Sequence, residues 1–169
     1  IVLQHFGISS SCWNPKVYYS SEYKVRKITD KKYIICHIGS GFEYKLWPFE
    51  YWSSLLNKIL KSSKLYDIVI IGDESEKEIC SSIIKNVSTI YEMRIKNMVG
   101  KSNFLESYSL VNSAQLFVGN DSVFSHVAAS KKIPSIQIMN GANSKHRWGI
   151  EYFGSHAKVV VGLDGNHNC

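Results

Sequence analysis

The stretch "LFVGNDSVFSHVAASKKIP", Leu116 to Pro134, decides the fold. It opens as an apolar strand, and from about Ser122 it continues as an apolar helix. Between the two lie Asn120, Asp121 and Ser122, and His126 follows one helical turn later. Ligands of open parallel sheets bind outside the carboxyl ends of the strands, so these polar side chains predict a binding site at this turn.

The remainder of the chain alternates short apolar strands with amphipathic helices. Continuous apolar runs such as "YIICHI" are typical of parallel strands that are covered on both faces. The predicted strands are 33–38, 66–71, a weaker one at 88–95, 115–118 and 134–138. The predicted helices are 48–63, 74–86, 102–114 and one from about residue 122. This alternation predicts right-handed crossovers and an α/β fold with a doubly wound parallel sheet.

Two of the predicted helices carry a clear apolar face. In helix 48–63 the apolar residues recur at helical spacing and form one stripe: Trp52, Leu55, Leu56, Ile59 and Leu60. In helix 102–114 a second apolar side comprises Phe104, Tyr108 and Val111. Such stripes predict helices that pack on the sheet.

Length and composition indicate one globular domain. The chain has 169 residues, of which 44% are hydrophobic and 20% charged, and it contains no apolar run near the roughly 20 residues that cross a bilayer. The first residues lack the features of a signal peptide. They resemble the interior of a longer protein, so we expect a fragment. Four widely spaced cysteines form no CxxC motif, which favours a reducing compartment without disulfides or a zinc site: Cys12, Cys36, Cys80 and Cys169.

The net charge of +6 owes much to "KVRKITDKK", Lys24 to Lys32. This segment is a solvated connector in the simpler interpretation, which we favour. In the other interpretation it is attracted to an anionic surface, either nucleotide phosphates or the acidic face of a membrane. We do not expect a nucleic-acid partner, because the sequence contains no recognition helix, zinc finger or RNA-binding aromatic motif.

Two further strand-to-helix turns are candidates for ligand contact. In "HIGSGFEYKLWP" the residues Gly39 to Gly41 let a ligand approach the backbone, and Lys45 adds a positive charge. The spacing matches neither the P-loop nor the dinucleotide fingerprint, and a flexible loop with an incidental lysine is the alternative. In "IIGDESEKE" the acidic residues are Asp73, Glu74 and Glu76. They either stabilise the amino end of the following helix, or one of them accepts hydrogen bonds from a ribose diol.

Simple capping is the alternative at the third turn. Asp121 or Ser122 would then cap the helix, which explains one residue but not His126 on the same helical face. A lone helical histidine is more often a satisfied core group than a ligand contact. The convergence of three polar groups on the favoured side of the sheet leads us to predict a site.

These motifs, in this order, resemble the C-terminal half of the heptosyltransferase family of glycosyltransferases. The resemblance runs from about Ile28 to Trp148 and rests on "GSGFEYKLWP", "IIGDESE", "VGKSNFLES" and "VGNDSVFSHVAASKKIP". The family has two Rossmann-like domains that face each other across a cleft, the GT-B architecture. Its C-terminal domain holds the sugar nucleotide, usually ADP-heptose.

The resemblance implies a role for each residue that matches the family motif. Ser40 and Lys45 would meet the diphosphate and sugar, and Glu76 would lie near the ribose. The amides at the helix start would neutralise the leaving diphosphate, the carboxylate of Asp121 would orient the sugar, and His126 would support the pocket or reach the phosphate. The substrate-binding set is Gly39, Ser40, Lys45, Glu76, Asp121, Ser122, Val123 and His126.

Two features depart from the family pattern. The family usually has glycine at the position of Val123, where the backbone approaches a phosphate. The loop before Lys45 is also one residue longer. A β-branched side chain at the phosphate contact leaves three interpretations open: a reshaped pocket, a shifted donor or a degraded site.

By this resemblance, residues 1–32 are a linker from an N-terminal domain and residues 33–169 are the nucleotide-sugar-binding domain. The general base, an Asp, belongs to the N-terminal domain, so the chain itself would hold no catalytic residue and would be inactive alone. The whole enzyme would invert the sugar while transferring it to lipopolysaccharide or another surface glycan, without metal or cofactor. It would be cytoplasmic, with the inner face of the cytoplasmic membrane as a further potential contact.

Two alternatives of other classes stay open. The first is a nucleotide-binding module without catalysis, which Val123 favours. The second is another sugar-nucleotide enzyme of GT-B type, such as an epimerase.

Overall fold

A computed structural model of the chain describes residues 27–140 and 148–162. Within these residues, six parallel strands form one sheet in the order β3-β2-β1-β4-β5-β6. The strands are β1 (Lys32–His37), β2 (Tyr66–Ile71), β3 (Ile95–Asn97), β4 (Leu116–Asn120), β5 (Ser135–Asn140) and β6 (Ala157–Gly162). This is the strand order of Rossmann-like folds, so the predicted doubly wound parallel sheet is confirmed.

Helices cover both faces of this sheet. In the described part of the chain they are α1 (Phe49–Ser62), α2 (Lys77–Lys85), α3 (Phe104–Asn112) and α4 (Val123–Ser130). The short 3-10 helices are Glu43–Lys45, Glu74–Glu76, Thr89–Arg94 and Ile150–Phe153. No helix in the described ranges is long and apolar enough to cross a membrane.

The stripe predicted in α1 packs against one face of the sheet. Trp52, Leu56 and Leu60 are fully buried, and Leu55 and Ile59 pack on them from partly buried positions. Residues of α2 complete this layer over alternate residues of β1 and β2. The helical spacing therefore identified the buried side of α1 correctly.

The opposite face is covered by α3 and α4. Tyr108 and Val111 are buried there as predicted, and the Tyr33 hydroxyl donates to the carbonyl of Leu110 at 2.7 Å. Phe104 was expected on the same buried side but is 42% exposed. It begins α3 and stacks on Phe124 of α4 at 5.3 Å between ring centroids, so it forms part of a surface cleft rather than the core.

The predicted strand at 88–95 is wrong. Thr89–Arg94 form a 3-10 helix, and only Ile95–Asn97 join the sheet. The guanidinium of Arg94 donates to the carbonyls of Leu60, Ser63 and Tyr66 at 2.8, 2.5 and 2.5 Å, which ties the segment to the end of α1. These bonds satisfy carbonyls at a helix end, a gain that strand pairing would not provide.

Two strand boundaries and one strand also differ from expectation. β4 extends through Gly119 and Asn120, beyond the predicted 115–118, and β5 ends at Asn140 rather than 138. The edge strand β6 was not predicted, although "AKVVVG" has a β-branched run. The longer β4 brings the polar turn directly to the end of the sheet.

Replacing a buried residue of the α1 stripe should destabilise the fold. We expect Leu56→Ala to lower the free energy of unfolding by about 2–5 kcal/mol, because it leaves a cavity in the core. The matched control Leu65→Ala, at a side chain that is 71% exposed, should change it by less than about 0.5 kcal/mol. Urea unfolding measures both; equal effects would contradict the assignment of this core.

Candidate functional site

The candidate site lies where β1 and β4 end side by side. These strands are neighbours in the sheet, with His37 paired to Gly119, although the chain leaves them toward helices on opposite faces. Such a switch point leaves a crevice at the carboxyl ends of the strands. The turn after β1 and the turn after β4 therefore meet at one place.

Asn120 joins the two turns. Its side chain is fully buried and donates to the carbonyl of Ile38 at 2.6 Å, while its oxygen accepts from the amide of Trp47 at 3.3 Å. The Ser40 hydroxyl adds a bond to the carbonyl of Asp121 at 3.2 Å. The glycine-rich loop is thus held against the end of β4, a role for Asn120 that the sequence analysis did not assign.

Asp121 forms the centre of a buried polar network. Its Oδ2 pairs with the ammonium of Lys45 at 2.8 Å, and the two side chains are 7% and 17% exposed. Its Oδ1 accepts from Nε2 of Gln137 at 3.1 Å, and the amide oxygen of Gln137 accepts from the Ile150 amide at 3.1 Å. Gln137 was not predicted, although a single amide inside "SIQIM" is a signal, since buried polar groups need partners.

The amino end of α4 faces this crevice. Ser122 occupies the N-cap position, but its side chain makes no capping bond. Its hydroxyl is buried and has no hydrogen-bond partner within the part of the chain that the structure describes. Val123 begins the helix and is 56% exposed. Capping by the Ser122 side chain is therefore not what places a polar residue here.

Four residues of the predicted set line one cleft of about 460 Å³: Ser40, Glu76, Ser122 and Val123. The other lining residues come from the ends of β1 and β2 and the starts of α3 and α4: His37, Gly41, Gly72, Asp73, Ser102, Asn103, Phe104, Ser107 and Phe124. The cleft is thus concave, partly aromatic and polar on one side, as small-molecule sites usually are.

The other predicted residues, Gly39, Lys45, Asp121 and His126, do not line this cleft. Gly39 lies under the carboxylate of Glu76. Lys45 faces a neighbouring cavity of about 240 Å³ and reaches Asp121 from that side. His126 is half-buried on α4, with its ring 6.3 Å from that of Phe153. Burial lowers the pKa of His126, the charge of Asp121 raises it and that of Lys45 lowers it further.

Glu76 is held over two glycines. Its Oε2 accepts from the Asp73 amide at 3.0 Å, and a Cβ atom on Gly39 or Gly72 would lie within 1.3 or 2.0 Å of its carboxylate oxygens. Both glycines are therefore needed for this placement. Burial raises the pKa of Glu76 to about 7, the Asp73 amide lowers it and the Asp73 charge raises it.

His37 is a further ionisable residue of the cleft that the sequence analysis did not select. Burial lowers its pKa to about 4, while the charge of Asp73 and the Gly39 backbone act in the opposite direction. Its ring packs on Phe124 at 5.2 Å, and Gly119 leaves room for it, since a Cβ there would lie 3.1 Å from that of His37. The imidazole is therefore neutral near pH 7.

The groups at this crevice could bind an anion and the hydroxyl groups of a ligand. The crevice combines a helix amino end, a lysine and several hydroxyl groups, which together suit a phosphate ester. Among residues 27–140 and 148–162, no group of three histidine, cysteine or acidic side chains could hold a metal ion.

Comparison with known proteins supports the family resemblance that the motifs indicated. The family model for glycosyltransferase family 9 (heptosyltransferase) matches residues 12–167. Lipopolysaccharide heptosyltransferase 2 of Escherichia coli (strain K12) is 23% identical over 123 residues, which are 73% of this chain and 34% of that protein. The chain thus spans about a third of the length of the curated relatives it matches. The resemblance to the heptosyltransferase family that the motifs indicated is confirmed.

Solved structures share the fold. The E. coli ADP-heptose lipopolysaccharide heptosyltransferase II superposes with a TM-score of 0.69 at 19% identity, over 94% of this chain and 41% of that one. A glycosyltransferase family 9 structure from Veillonella parvula gives 0.65 at 23% identity, over 80% and 37%. At these identities the likeness extends to the architecture alone.

The raised pKa of Glu76 predicts a pH dependence of stability. The folded state holds this proton up to about pH 7, whereas the ordinary pKa is 4.5, so the free energy of unfolding should fall as the pH rises through that window. Glu76→Gln should remove this contribution. Urea unfolding of both proteins at about pH 5 and about pH 8 checks it. An identical pH dependence in the two proteins would contradict the assignment.

The Lys45–Asp121 pair should be strongly coupled. Asp121→Asn leaves the Lys45 ammonium with a neutral partner, so we expect a loss of about 3 kcal/mol in the free energy of unfolding. The double variant Lys45→Met/Asp121→Asn should lose less than the sum of the two single variants, because no unpaired charge remains. A double-mutant cycle by urea unfolding measures this, and strict additivity would contradict it.

Proposed function

We propose that this chain, which belongs to glycosyltransferase family 9 (heptosyltransferase), is the donor-binding half of an inverting glycosyltransferase. The whole protein would transfer a heptose-like sugar from a nucleoside diphosphate sugar to lipopolysaccharide or another surface glycan. The observation that carries this proposal is the crevice between β1 and β4, where the amino end of α4 meets the loop that contains Ser40 and Lys45.

The diphosphate would lie against the amino end of α4. The amides of Ser122 and Val123 begin this helix, and the helix dipole adds partial positive charge there. The buried Ser122 hydroxyl has an unused hydrogen-bonding capacity that a phosphate oxygen would fill. Lys45 lies on the other side of the Asp121 carboxylate, which offsets much of its positive charge. Fixed donors of this kind stabilise the charge that develops on a leaving diphosphate.

The nucleoside would occupy the half of the cleft between β2 and α3. Glu76 lines this half and would accept hydrogen bonds from a ribose diol with its carboxylate oxygens. Phe104, which is 42% exposed, offers an apolar wall there. An apolar wall with a few placed polar groups is typical of small-molecule sites.

Asp121 would act mainly by positioning. Both of its carboxylate oxygens have protein partners, Lys45 and Gln137. A direct bond to a sugar hydroxyl would therefore have to share an oxygen with one of these partners. In either case the carboxylate fixes the lysine and the helix start beside the reacting end of the donor.

The acceptor and the general base would lie in the other part of the whole protein. This chain spans about a third of its curated relatives, and direct displacement needs one base beside the acceptor hydroxyl. The names of the similar proteins, lipopolysaccharide heptosyltransferase 2 and ADP-heptose lipopolysaccharide heptosyltransferase II, support ADP-heptose as donor and lipopolysaccharide as acceptor. Such an enzyme would work in the cytoplasm, at the inner face of the membrane that carries its acceptor.

A nucleotide-binding module without catalysis is the second candidate. Val123 favours it, because this exposed β-branched side chain stands at the helix start where a phosphate would approach. The two candidates differ in whether the complete protein turns over its donor.

Donor binding by the chain tests the proposal. We expect weak binding of ADP-heptose or another nucleoside diphosphate sugar in calorimetric titration, unchanged by a chelator, since much of the ligand surface stays exposed. Binding that requires a divalent ion, or no binding of any nucleotide sugar, would contradict it.

Val123 should control this affinity. Val123→Gly removes the side chain next to the proposed phosphate, so the affinity should rise or hold, and Val123→Phe should lower it. The matched control is Val160→Gly, at a position on β6 that is 53% exposed and outside the cleft; it should leave affinity unchanged. Each glycine variant should cost about 0.5–1 kcal/mol of stability, which thermal melting checks. Lower affinity in Val123→Gly would argue against a phosphate at α4.

A further inference from the structure

A patch of apolar and basic side chains lies at the amino ends of β2 and β3, the end of the sheet opposite the cleft. We call it the basal patch; it comprises Lys31, Lys61, Lys64, Leu65, Ile90, Met93 and Lys96. Lys31, Lys61, Lys64 and Ile90 line a common cavity of about 260 Å³, and the Lys96 ammonium donates to the Met93 carbonyl at 2.8 Å. β2 and β3 begin beside this patch, whereas the cleft follows the ends of the strands.

The apolar members of the basal patch are unusually exposed. Leu65, Ile90 and Met93 are 71%, 75% and 84% exposed. Single exposed apolar side chains are common on proteins. Ile90 and Met93 lie on one 3-10 helix, and Ile90 shares a cavity with Lys64, which precedes Leu65, so the three together favour an interaction surface.

The backbone of the patch is held firmly. Arg94 donates to three carbonyls at the end of α1 and the start of β2, and its side chain is only 15% exposed. These bonds hold the 3-10 helix Thr89–Arg94 against α1. Ile90 and Met93 are therefore presented to solvent by an anchored segment, which lowers the entropy that a partner must overcome on binding.

The charge of the basal patch is strongly positive. Lys31, Lys61 and Lys64 are exposed and Lys96 is half-buried. The nearby acids do little to offset them. Asp30 pairs with Lys27, and the buried Asp67 accepts from the Thr29 hydroxyl at 2.6 Å. The exposed acid of the same 3-10 helix is Glu92.

We propose that the basal patch docks on an anionic lipid bilayer. Ile90, Met93 and Leu65 would enter the boundary between headgroups and acyl chains, and the four lysines would meet acidic headgroups. Exposed apolar side chains beside lysines match the two requirements of peripheral membrane binding, apolar insertion and electrostatic attraction. A nucleic acid would use the lysines but would leave the three apolar side chains in water.

Docking by this surface leaves the cleft open. The two regions are separated by the length of the strands, about 20 Å for six residues. A soluble nucleotide sugar could therefore reach the cleft of a docked protein. The inference goes beyond the donor site, and it stands or falls independently of sugar transfer.

Sedimentation with vesicles tests the inference on the 169-residue chain. We expect binding to vesicles of phosphatidylethanolamine and phosphatidylglycerol at about 3:1, and much weaker binding to phosphatidylcholine vesicles. Salt of about 0.5 M should release most of the protein, since it shortens the Debye length to a few ångströms. Equal binding to both vesicle types, or no binding to either, would overturn the proposal.

Variants of exposed residues identify the surface without disturbing the fold. Circular dichroism checks that each variant is folded. Lys61→Gln/Lys64→Gln should weaken binding to the anionic vesicles by about 10- to 30-fold. Ile90→Ser/Met93→Ser should weaken it by about 10-fold, through lost apolar insertion. The charge-matched control Lys132→Gln/Lys158→Gln, at exposed residues around β5 and β6, should change it by less than about 2-fold.

Two outcomes would assign the binding elsewhere. An equal loss in the control variant would show attraction to net charge rather than a docking surface. Analytical ultracentrifugation of the free protein covers the other case: a dimer that dissociates in Ile90→Ser/Met93→Ser, with no vesicle binding by the wild type, would make the patch an interface between copies. Nucleotide-sugar affinity measured with and without vesicles should be the same, so a failure of docking and a failure of donor binding are distinguishable.

Discussion

The parallel pairing of β1 with β4 is the constraint on which the rest of the structure depends. It places His37 beside Gly119 and brings the two following turns together. A slip of one residue would turn the Asn120 side chain to the other face of the sheet, because side chains alternate along a strand. Its bonds to Ile38 and Trp47 would then be lost, and with them the hold on the glycine-rich loop. The buried amide therefore specifies both the register and the shape of the crevice.

The charged groups around the crevice are arranged before any ligand arrives. Lys45 and Asp121 are paired with little exposure to water, Glu76 lies over two glycines, and His37 is neutral against an aromatic ring. Burying the Lys45–Asp121 pair and Glu76 costs desolvation energy, which their ion pair and hydrogen bonds partly offset. Such costs are commonly found where a protein binds or transforms a ligand, because fixed dipoles and charges need little rearrangement on binding.

The sequence predicted those parts of the fold that depend on local periodicity. The stripe on α1 and the strands β1, β2, β4 and β5 follow from apolar spacing, and the polar turn after β4 was visible as a break between strand and helix. The segment 88–95 could not be predicted in this way. Its apolar residues resemble a strand, but Arg94 bonds to three carbonyls at the end of α1 and the start of β2, contacts that lie outside any local window.

The location of the site could be predicted better than its hydrogen bonds and ion pairs. Turns at the ends of neighbouring parallel strands must meet, which brought Ser40 and Ser122 to one cleft. The separate position of Lys45, in a neighbouring cavity, depends on the loop path that Asn120 fixes. Gln137 could be recognised as a lone amide in a buried strand, but its partners come from α4 and from residues after β5, so only the folded chain identifies them.

The most direct measurement is amide chemical-shift mapping of the isotope-labelled chain during titration with ADP-heptose. The account predicts that the largest changes occur at Gly39–Ser40 and at Ser122–Val123, the backbone segments that meet in the crevice, with smaller changes around Glu76. Changes confined to other regions, such as the basal patch, would contradict a donor site between β1 and β4. So would saturation of the protein with ADP-heptose without any change at the start of α4.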